Sequence, residues 1–252
     1  MVMLILYLML NQKVPKEFQP AFEKALNHFP ELFDKYIFVY KTRFFGVQHA
    51  FRAYPPIFNL LSPKSKWVYL VAVNKRRSVR IIFSSLSLEE QVGLLAHELS
   101  HASAYSDFSR IGLIIFSIRY AFSKKFVKRI EEETDLRVIS RGAGKCLFME
   151  RIALFKFRLS RPYPETEDTY ITPVEVLENL KKYPHLYTDK DLAECSSQLE
   201  LIVEKLKLTY LPSRISGKRK IKHSLKTLMA FLPEFLKIFY IVVIKKAYIT
   251  KY

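Results

Sequence analysis

Cysteine and glycine are both scarce in this sequence, which has two Cys and six Gly among 252 residues. Cys146 and Cys195 follow neither metal-binding nor redox spacing, so we expect free thiols in a reducing compartment rather than a disulfide framework. Repeats and low-complexity segments are absent as well. Since half of the residues are hydrophobic, the chain has enough apolar side chains for one large domain, or for a core with a smaller appendage.

Acidic residues are also few: there are 24 Asp and Glu against 41 Lys and Arg, and the formal net charge is +17. The excess is greatest in residues 205–252, which carry 12 Lys or Arg and a single acid, Glu234. Such a balance predicts an acidic partner. The sequence has no nucleic-acid motif, and its basic residues lie beside long apolar runs. We therefore expect contact with an anionic membrane surface through residues 213–246, and no nucleic acid.

The apolar runs are short or interrupted by charges. Met1–Leu10 is too short to span a bilayer and lacks the basic start and cleavage site of a signal peptide, so a buried first element is favoured over a membrane anchor. Residues 108–122 predict either a core helix or a membrane-surface patch. Leu228–Ile244 contains Glu234 and Lys237, and its apolar face suits either the plane of a membrane or packing on the rest of the protein. Together these runs predict a cytoplasmic protein, in part peripheral on the cytoplasmic membrane.

Residue periodicity predicts an α+β fold. Four runs rich in Val, Ile, Phe and Tyr predict strands, at Tyr36–Tyr40, Val47–Tyr54, Trp67–Val73 and Val79–Phe83. Helical spacing and capping signals predict helices at residues 16–29, 88–104, 126–141, 145–159, 173–182 and 189–208. We expect a core domain in residues 1–160, in which the small sheet packs on the second and third of these helices. A helical C-terminal region, residues 161–252, follows it.

The helix predicted at residues 88–104 carries the HExxH motif, His97-Glu98-Leu99-Ser100-His101. His97 and His101 lie four residues apart, so on a helix both imidazoles share a face and reach one metal ion. Glu98 is rotated by about 100° from His97, which places it beside the metal, where it can take a proton from bound water. Apolar residues surround these three polar side chains, and buried polar groups need partners. Metal ligation meets that need better than a solvated helix with two unrelated His.

A catalytic zinc site takes three protein ligands plus water, so the motif needs a third ligand. The acidic run Glu131-Glu132-Glu133-Thr134-Asp135 lies on the helix predicted at residues 126–141. Glu131 lies beside the inward-facing apolar stripe of that helix, and it alone has an acid four residues later, Asp135. Asp135 can accept the second ring N–H of a ligand histidine. Glu131 is therefore the predicted third ligand, while a solvated helix start is the alternative explanation of the acidic run.

The HExxH motif followed by Glu131 and Asp135 resembles the gluzincin metallopeptidases, and it is most similar to the HtpX-like and CAAX prenyl endopeptidase family. The resemblance covers roughly residues 45–160. It implies a small zincin-type sheet packed on the HExxH helix and on a second ligand-bearing helix. It also implies zinc ligation by both motif histidines and Glu131, with Glu98 as the general base and Asp135 supporting a ligand histidine. The transmembrane hairpin of the family's membrane members has no counterpart here beyond the short apolar run.

These features predict a zinc-dependent metalloendopeptidase that hydrolyses a peptide or protein substrate, with Glu98 moving the proton. The strand before the HExxH helix is the expected docking edge for an extended peptide. The candidates for stabilising the transition state are Tyr163, Tyr170 and His185. Two alternatives stay open. One is a non-catalytic membrane-surface or scaffold protein with a vestigial metal site, and the other is a regulatory protease similar to the soluble ImmA-like enzymes.

Overall fold

The computed structural model describes residues 12–42, 51–56, 60, 63–74, 83–159 and 170–209. Met1–Leu10, Tyr163 and residues 213–246 lie outside this part of the chain, so the predictions made for them stay predictions. The described residues form an α+β fold, as the periodicity predicts, with one small sheet and a larger share of helix. None of the helices in the described ranges combines the length and the hydrophobicity that crossing a membrane requires.

The sheet has four strands in the order β1-β2-β4-β3. Their bounds are Gln12–Lys13 for β1, Tyr36–Thr42 for β2, Phe51–Tyr54 for β3 and Val68–Asn74 for β4. β1, β2 and β4 run parallel, whereas β3 pairs antiparallel with β4 and ends the strand order. Three of the predicted strands overlap β2, β3 and β4. β4 is buried along almost its whole length, which is typical of a central strand covered on both faces.

The fourth predicted strand, Val79–Phe83, lies mostly outside the described residues and stays a prediction, except that its last residue is not in a strand. Phe83 belongs to a helical turn at residues 83–85, while residues 79–82 lie outside the described ranges. The Phe83 ring is buried, with its centroid 4.7 Å from that of Phe18 and 5.2 Å from that of Phe51. The apolar character of this position therefore reflects core packing rather than strand pairing. The two-residue strand β1 was not predicted, because it is too short to show alternation.

Seven α-helices make up most of the rest of the described chain. Their bounds are α1 Gln19–Leu26, α2 Leu88–Asp107, α3 Arg110–Phe122, α4 Lys124–Val138, α5 Gly144–Leu159, α6 Pro173–Leu180 and α7 Asp189–Thr209. α2 begins at the predicted capping box, in which the side chains of Ser87 and Glu90 each accept from the other residue's backbone N–H. This reciprocal pair satisfies N–H groups that a helix start leaves without partners. α2 then packs against α1, α4 and α5, so that its middle is buried.

Two glycines set how these helices meet. Gly142 has a φ of +86°, a left-handed conformation that glycine adopts without a steric penalty. It lies in a π-helical turn, Ile139–Ala143, that separates α4 from α5. Gly93 lies where α2 crosses α5, and a Cβ atom at this position would lie 2.1 Å from the carbonyl oxygen of Cys146. The lack of a side chain at Gly93 therefore allows the two helix backbones to touch.

Replacing Gly93 with Ala tests this close approach. The added methyl group has to displace the α5 backbone in a close-packed interior, so we expect Gly93→Ala to lower the free energy of unfolding by about 3 kcal/mol or more. Gly112→Ala is the control, because its nearest neighbour is the Ser109 hydroxyl at 3.1 Å and Ala is favoured over Gly in helices by about 1 kcal/mol. Urea unfolding followed by circular dichroism measures both variants. Equal stabilities would contradict the packing described for α2 and α5.

Candidate metal centre

The middle of α2 holds two histidines on its buried face. The ring centroids of His97 and His101 lie 4.9 Å apart, and both side chains are buried. Their spacing of four residues places them on the same side of the helix. Each ring turns its Nε2 atom toward α4.

The third side chain at this point is Glu131 of α4. Its Oε2 atom lies 3.1 Å from His97 Nε2 and 3.2 Å from His101 Nε2. Glu132 and Glu133 instead form ion pairs with cations one turn earlier on α4. The register of α4 therefore brings Glu131 against the histidines and turns the two neighbouring acids away.

The three donor atoms fit a single divalent metal ion. All of them lie within 4.8 Å of one another, and all three side chains are buried. Zinc ligands lie about 2.0–2.2 Å from the ion, so two ligands of a tetrahedral site are about 3.4 Å apart. The separations of 3.1 and 3.2 Å are close to that value. His97, His101 and Glu131, here called the metal-binding group, thus lie close enough to hold one ion.

Carboxylates dominate the electrostatics of the metal-binding group. Burial opposes the ionisation of Glu131, but His101 and His97 outweigh it and hold the pKa of this carboxyl well below its ordinary value. Burial also opposes a charge on His97, yet Asp135 and Glu131 raise its pKa to about 10. The lowered pKa keeps Glu131 ionised, and the raised pKa of His97 reflects the two carboxylates beside its ring. The surroundings therefore favour a bound cation.

Each histidine makes a second hydrogen bond through its Nδ1 atom. Asp135 Oδ1 accepts from His97 Nδ1 at 2.7 Å. His101 Nδ1 lies 3.2 Å from the Thr134 hydroxyl, whose own proton goes to the Ile130 carbonyl, so Thr134 is the acceptor. Both rings are thereby fixed with Nε2 toward the common point. Metal-binding histidines typically have such an outer hydrogen bond.

A buried arginine on α5, which no sequence motif indicates, neutralises Asp135. Arg151 Nη2 donates to Asp135 Oδ1 at 2.7 Å, and Nη1 donates to the buried Glu150. Burial raises the pKa of Asp135, but Arg151 and His97 outweigh it and lower that pKa below its ordinary value. Arg151 therefore keeps Asp135 ionised as the acceptor for His97. The only signal in the sequence is a Glu-Arg pair within the apolar helix of residues 145–159, since buried charges require partners.

The second oxygen of Glu131 is bound by Tyr120 of α3. Tyr120 Oη donates to Glu131 Oε1 at 2.6 Å. Burial and Glu131 raise the pKa of this phenol well above its ordinary value, so it stays protonated and donates. The contact holds Glu131 with its other oxygen toward the histidines. In the sequence, Tyr120 is one of several aromatic residues in the apolar run at residues 108–122. No motif there indicates that it contacts Glu131.

Glu98 lies beside the metal-binding group without belonging to it. Its Oε2 atom accepts from the backbone N–H of Ala53 in β3 at 2.5 Å. Burial raises the pKa of the Glu98 carboxyl above its ordinary value, and the nearby His97 and His101 oppose that rise. A carboxyl with a raised pKa next to a metal site is suited to moving a proton. The sequence predicts this position beside the metal, whereas the contact with β3 depends on the fold.

A small cleft opens at these residues. Its walls come from β3, α2, α3 and α4, and from Tyr170, which lies just before α6. The lining residues on the strand and the helices are Phe51, Arg52, Ala53, His97, Glu98, His101, Tyr120 and Glu131. The cleft therefore exposes Glu98 and the metal-binding group to one space.

Of the residues predicted to stabilise a transition state, Tyr170 lies in the wall of this cleft. Its ring centroid is 5.5 Å from that of His97, and the Arg151 guanidinium lies 4.8 Å from the Tyr170 ring. Burial and Glu131 raise the pKa of Tyr170 well above its ordinary value, so the phenol is a hydrogen-bond donor at neutral pH. His185 is not among the residues that line the cleft.

Arg52 adds a positive charge to the same wall. Its guanidinium lies 5.5 Å from the Tyr54 ring and 5.8 Å from the Tyr120 ring. Burial lowers the pKa of Arg52, but the surrounding tyrosines outweigh it and raise that pKa above its ordinary value. The cleft thus brings together a carboxyl with a raised pKa, the metal-binding group, a phenol and a guanidinium.

The chain was compared with protein-family models, with curated proteins and with solved structures, and nothing matches. The resemblance to the gluzincins therefore depends on its two motifs. The fold adds that the donor atoms of His97, His101 and Glu131 meet at one point.

Removing Glu131 tests the metal-binding group. Two imidazoles alone bind zinc weakly, so we expect Glu131→Ala to lose the roughly one ion per chain that three donors retain. Glu132→Ala is the matched control, one residue further along the same helix, and it should keep its metal. Mass spectrometry of metals in protein dialysed first against zinc and then against buffer measures both. Metal retained in Glu131→Ala and lost in Glu132→Ala would contradict the register of α4.

Proposed function

We propose that this protein is a zinc-dependent metallopeptidase of the gluzincin type. The observation that carries the proposal is the position of Glu98, a buried carboxyl outside the donor set that shares one cleft with it. Structural zinc sites are closed by four protein ligands, whereas catalytic sites have three and keep one position open. Among the described residues, the three donors His97, His101 and Glu131, with Glu98 beside them, support a site with an open position.

Zinc is the metal that this donor set suits best. Two imidazole nitrogens and one carboxylate oxygen form a common catalytic zinc set. Magnesium and calcium prefer all-oxygen ligands, so two histidines argue against both. A zinc ion at this point supplies a Lewis acid that lowers the pKa of water and polarises a carbonyl group.

Glu98 is the base and then the acid in the proposed hydrolysis. Its carboxylate takes a proton from the attacking water while the water oxygen bonds to the scissile carbonyl carbon. Glu98 then passes that proton to the amide nitrogen as the C–N bond breaks, so one water yields a carboxyl and an amine product. The raised pKa of Glu98 suits a group that first takes and then gives a proton. The N–H of Ala53 holds the carboxylate in place between these steps.

The strand predicted to dock a peptide, Val79–Phe83, lies mostly outside the described residues, and the last described strand before α2, β4, is central in the sheet. The strand that supports a peptide as the substrate is instead β3, at the edge of the sheet. β3 pairs with β4 on one side, and its Ala53 N–H points to Glu98 on the other. An extended peptide can add to such an edge through backbone hydrogen bonds. Because the edge runs past Glu98, a peptide bound there has its backbone at the cleft.

Tyr170 is the residue best placed to stabilise the transition state. Charge develops on the carbonyl oxygen during the attack, and hydrogen-bond donors fixed near that oxygen lower the barrier. Tyr170 lines the cleft and packs against His97, so its protonated phenol is available as such a donor. Arg52, also in the wall, adds positive charge that favours the same developing anion.

Glu98→Gln separates catalysis from metal binding. The amide cannot take a proton, so we expect kcat to fall by about 10²–10⁴-fold while the zinc content stays unchanged. Glu89→Gln is the matched control, because Glu89 is an exposed residue in the first turn of the same helix. Hydrolysis of fluorescently labelled casein and zinc content by mass spectrometry provide the two readouts.

Two outcomes would count against the proposal. Undiminished casein hydrolysis in Glu98→Gln would exclude Glu98 as the base. Zinc-loaded, unaltered protein that cleaves neither casein nor a varied peptide library would instead favour the non-catalytic metal-binding alternative.

A further inference from the structure

The outward face of α3 carries a concentration of exposed apolar side chains. Among the described residues, eleven large hydrophobic side chains are exposed, and five of these lie on α3: Ile111, Ile114, Ile115, Ile118 and Phe122. The two at the ends of the helix, Ile111 and Phe122, are 71% and 61% exposed. Contiguous apolar surface of this kind marks a contact with a partner or a membrane.

These five side chains, here called the outer stripe, form one band along the helix. At about 100° per residue they fall within an arc of about 100°, opposite the buried Leu113 and Phe116. The same geometry places Arg110 and Arg119 on the two sides of the arc. α3 therefore has two apolar faces, of which the inner one packs on the core. The inner face agrees with the core helix that the sequence predicts for residues 108–122, while the membrane-surface patch stays a prediction for the outer face.

The surroundings of the outer stripe are basic. Residues 108–130 contain six Lys or Arg and no Asp or Glu. Lys128 and Arg129 pair with acids one turn later on α4. The other four are exposed beside the stripe or just beyond its end: Arg110, Arg119, Lys124 and Lys125. The outer stripe is thus bordered by a cationic rim, the name used below for these four residues.

We propose that the outer stripe docks on the surface of an anionic lipid membrane. The Ile and Phe side chains enter the boundary between headgroups and acyl chains, while the long cationic side chains reach the anionic headgroups. α3 has 13 residues and is about 20 Å long, shorter than the hydrocarbon core of about 30 Å. The helix therefore lies in the plane of the surface.

The positive charge of the cationic rim favours a membrane over a protein as the binding partner of the outer stripe. A second copy docked through the same stripe in a symmetric dimer would bring two cationic rims together. Lys is depleted in protein interfaces, whereas clusters of Lys and Arg beside an apolar helix face are typical of contacts with anionic lipid. The chain's own residues 205–252 carry 12 Lys or Arg against one acid, so they would repel the rim as well.

Membrane docking would bring the cleft close to the lipid surface. Tyr120 lies on the inner side of α3 and donates to Glu131 at 2.6 Å. The proposed contact and the metal-binding group are therefore linked through one helix. This inference depends on the surface of α3 and not on the proposed peptidase activity.

The test is sedimentation of the full chain with vesicles of phosphatidylcholine, with and without phosphatidylserine. We expect binding that requires phosphatidylserine and weakens as salt increases. The double variant Ile115→Ser/Ile118→Ser should lower the partition coefficient about tenfold or more, and so should Lys124→Glu/Lys125→Glu. The matched control is Val174→Ser/Leu201→Ser, because both residues are 51% exposed on other helices. The control should bind like the unaltered chain.

Several outcomes would overturn the proposal. The first is absence of binding by the unaltered chain, and the second is binding that both α3 variants retain within a factor of two. A dimer that Ile115→Ser/Ile118→Ser converts to a monomer, without any dependence on lipid, would assign the stripe to a second copy. A large fall in thermal stability of that variant, again without lipid binding by the unaltered chain, would show that the chain itself covers the stripe.

Discussion

A carboxylate oxygen placed between two buried imidazoles is the interaction on which this structure depends. Glu131 Oε2 lies within 3.2 Å of both His97 Nε2 and His101 Nε2, and burying such groups is costly unless each has a partner of opposite charge. The packing of α2 on α4 holds this arrangement. At the same level of the two helices, the Ser100 hydroxyl donates to the Thr134 carbonyl at 3.0 Å. The close approach at Gly93 then fixes α2 against α5.

The need to balance buried charge explains why the network extends so far from the histidines. Asp135 orients His97, Arg151 neutralises Asp135, and Glu150 in turn pairs with Arg151. Breaking one pair in such a chain leaves an uncompensated ion, which costs more than the pair itself contributes. The network therefore rigidifies α2, α4 and α5 around the metal-binding group. Glu98 lies beside this network and accepts from a backbone N–H of β3.

Helical spacing in the sequence predicts which side chains share a helix face. It does not predict contacts between residues that lie far apart in the chain. The spacing of His97 and His101 fixes their common face, and the phase of α4 distinguishes Glu131 from its neighbours. Arg151 and Ala53 reach the site only because α5 and β3 fold against α2, and no local pattern encodes that. Phe83 looked like part of a strand, since burial selects the same residue types in a core turn. Residues 108–122 left two interpretations open, because hydrophobicity alone does not separate a buried face from an exposed one.

X-ray absorption spectroscopy at the zinc edge, on protein loaded with zinc, tests the central claim most directly. We expect one zinc ion per chain, bound at about 2.0–2.1 Å by two imidazole nitrogens, a carboxylate oxygen and a water oxygen. The outer-shell scattering should be that of two imidazole rings. Sulfur at about 2.3 Å, one imidazole or none, or four protein ligands without an open position would contradict it. Either of the last two results would also remove the reason for assigning Glu98 a proton to move.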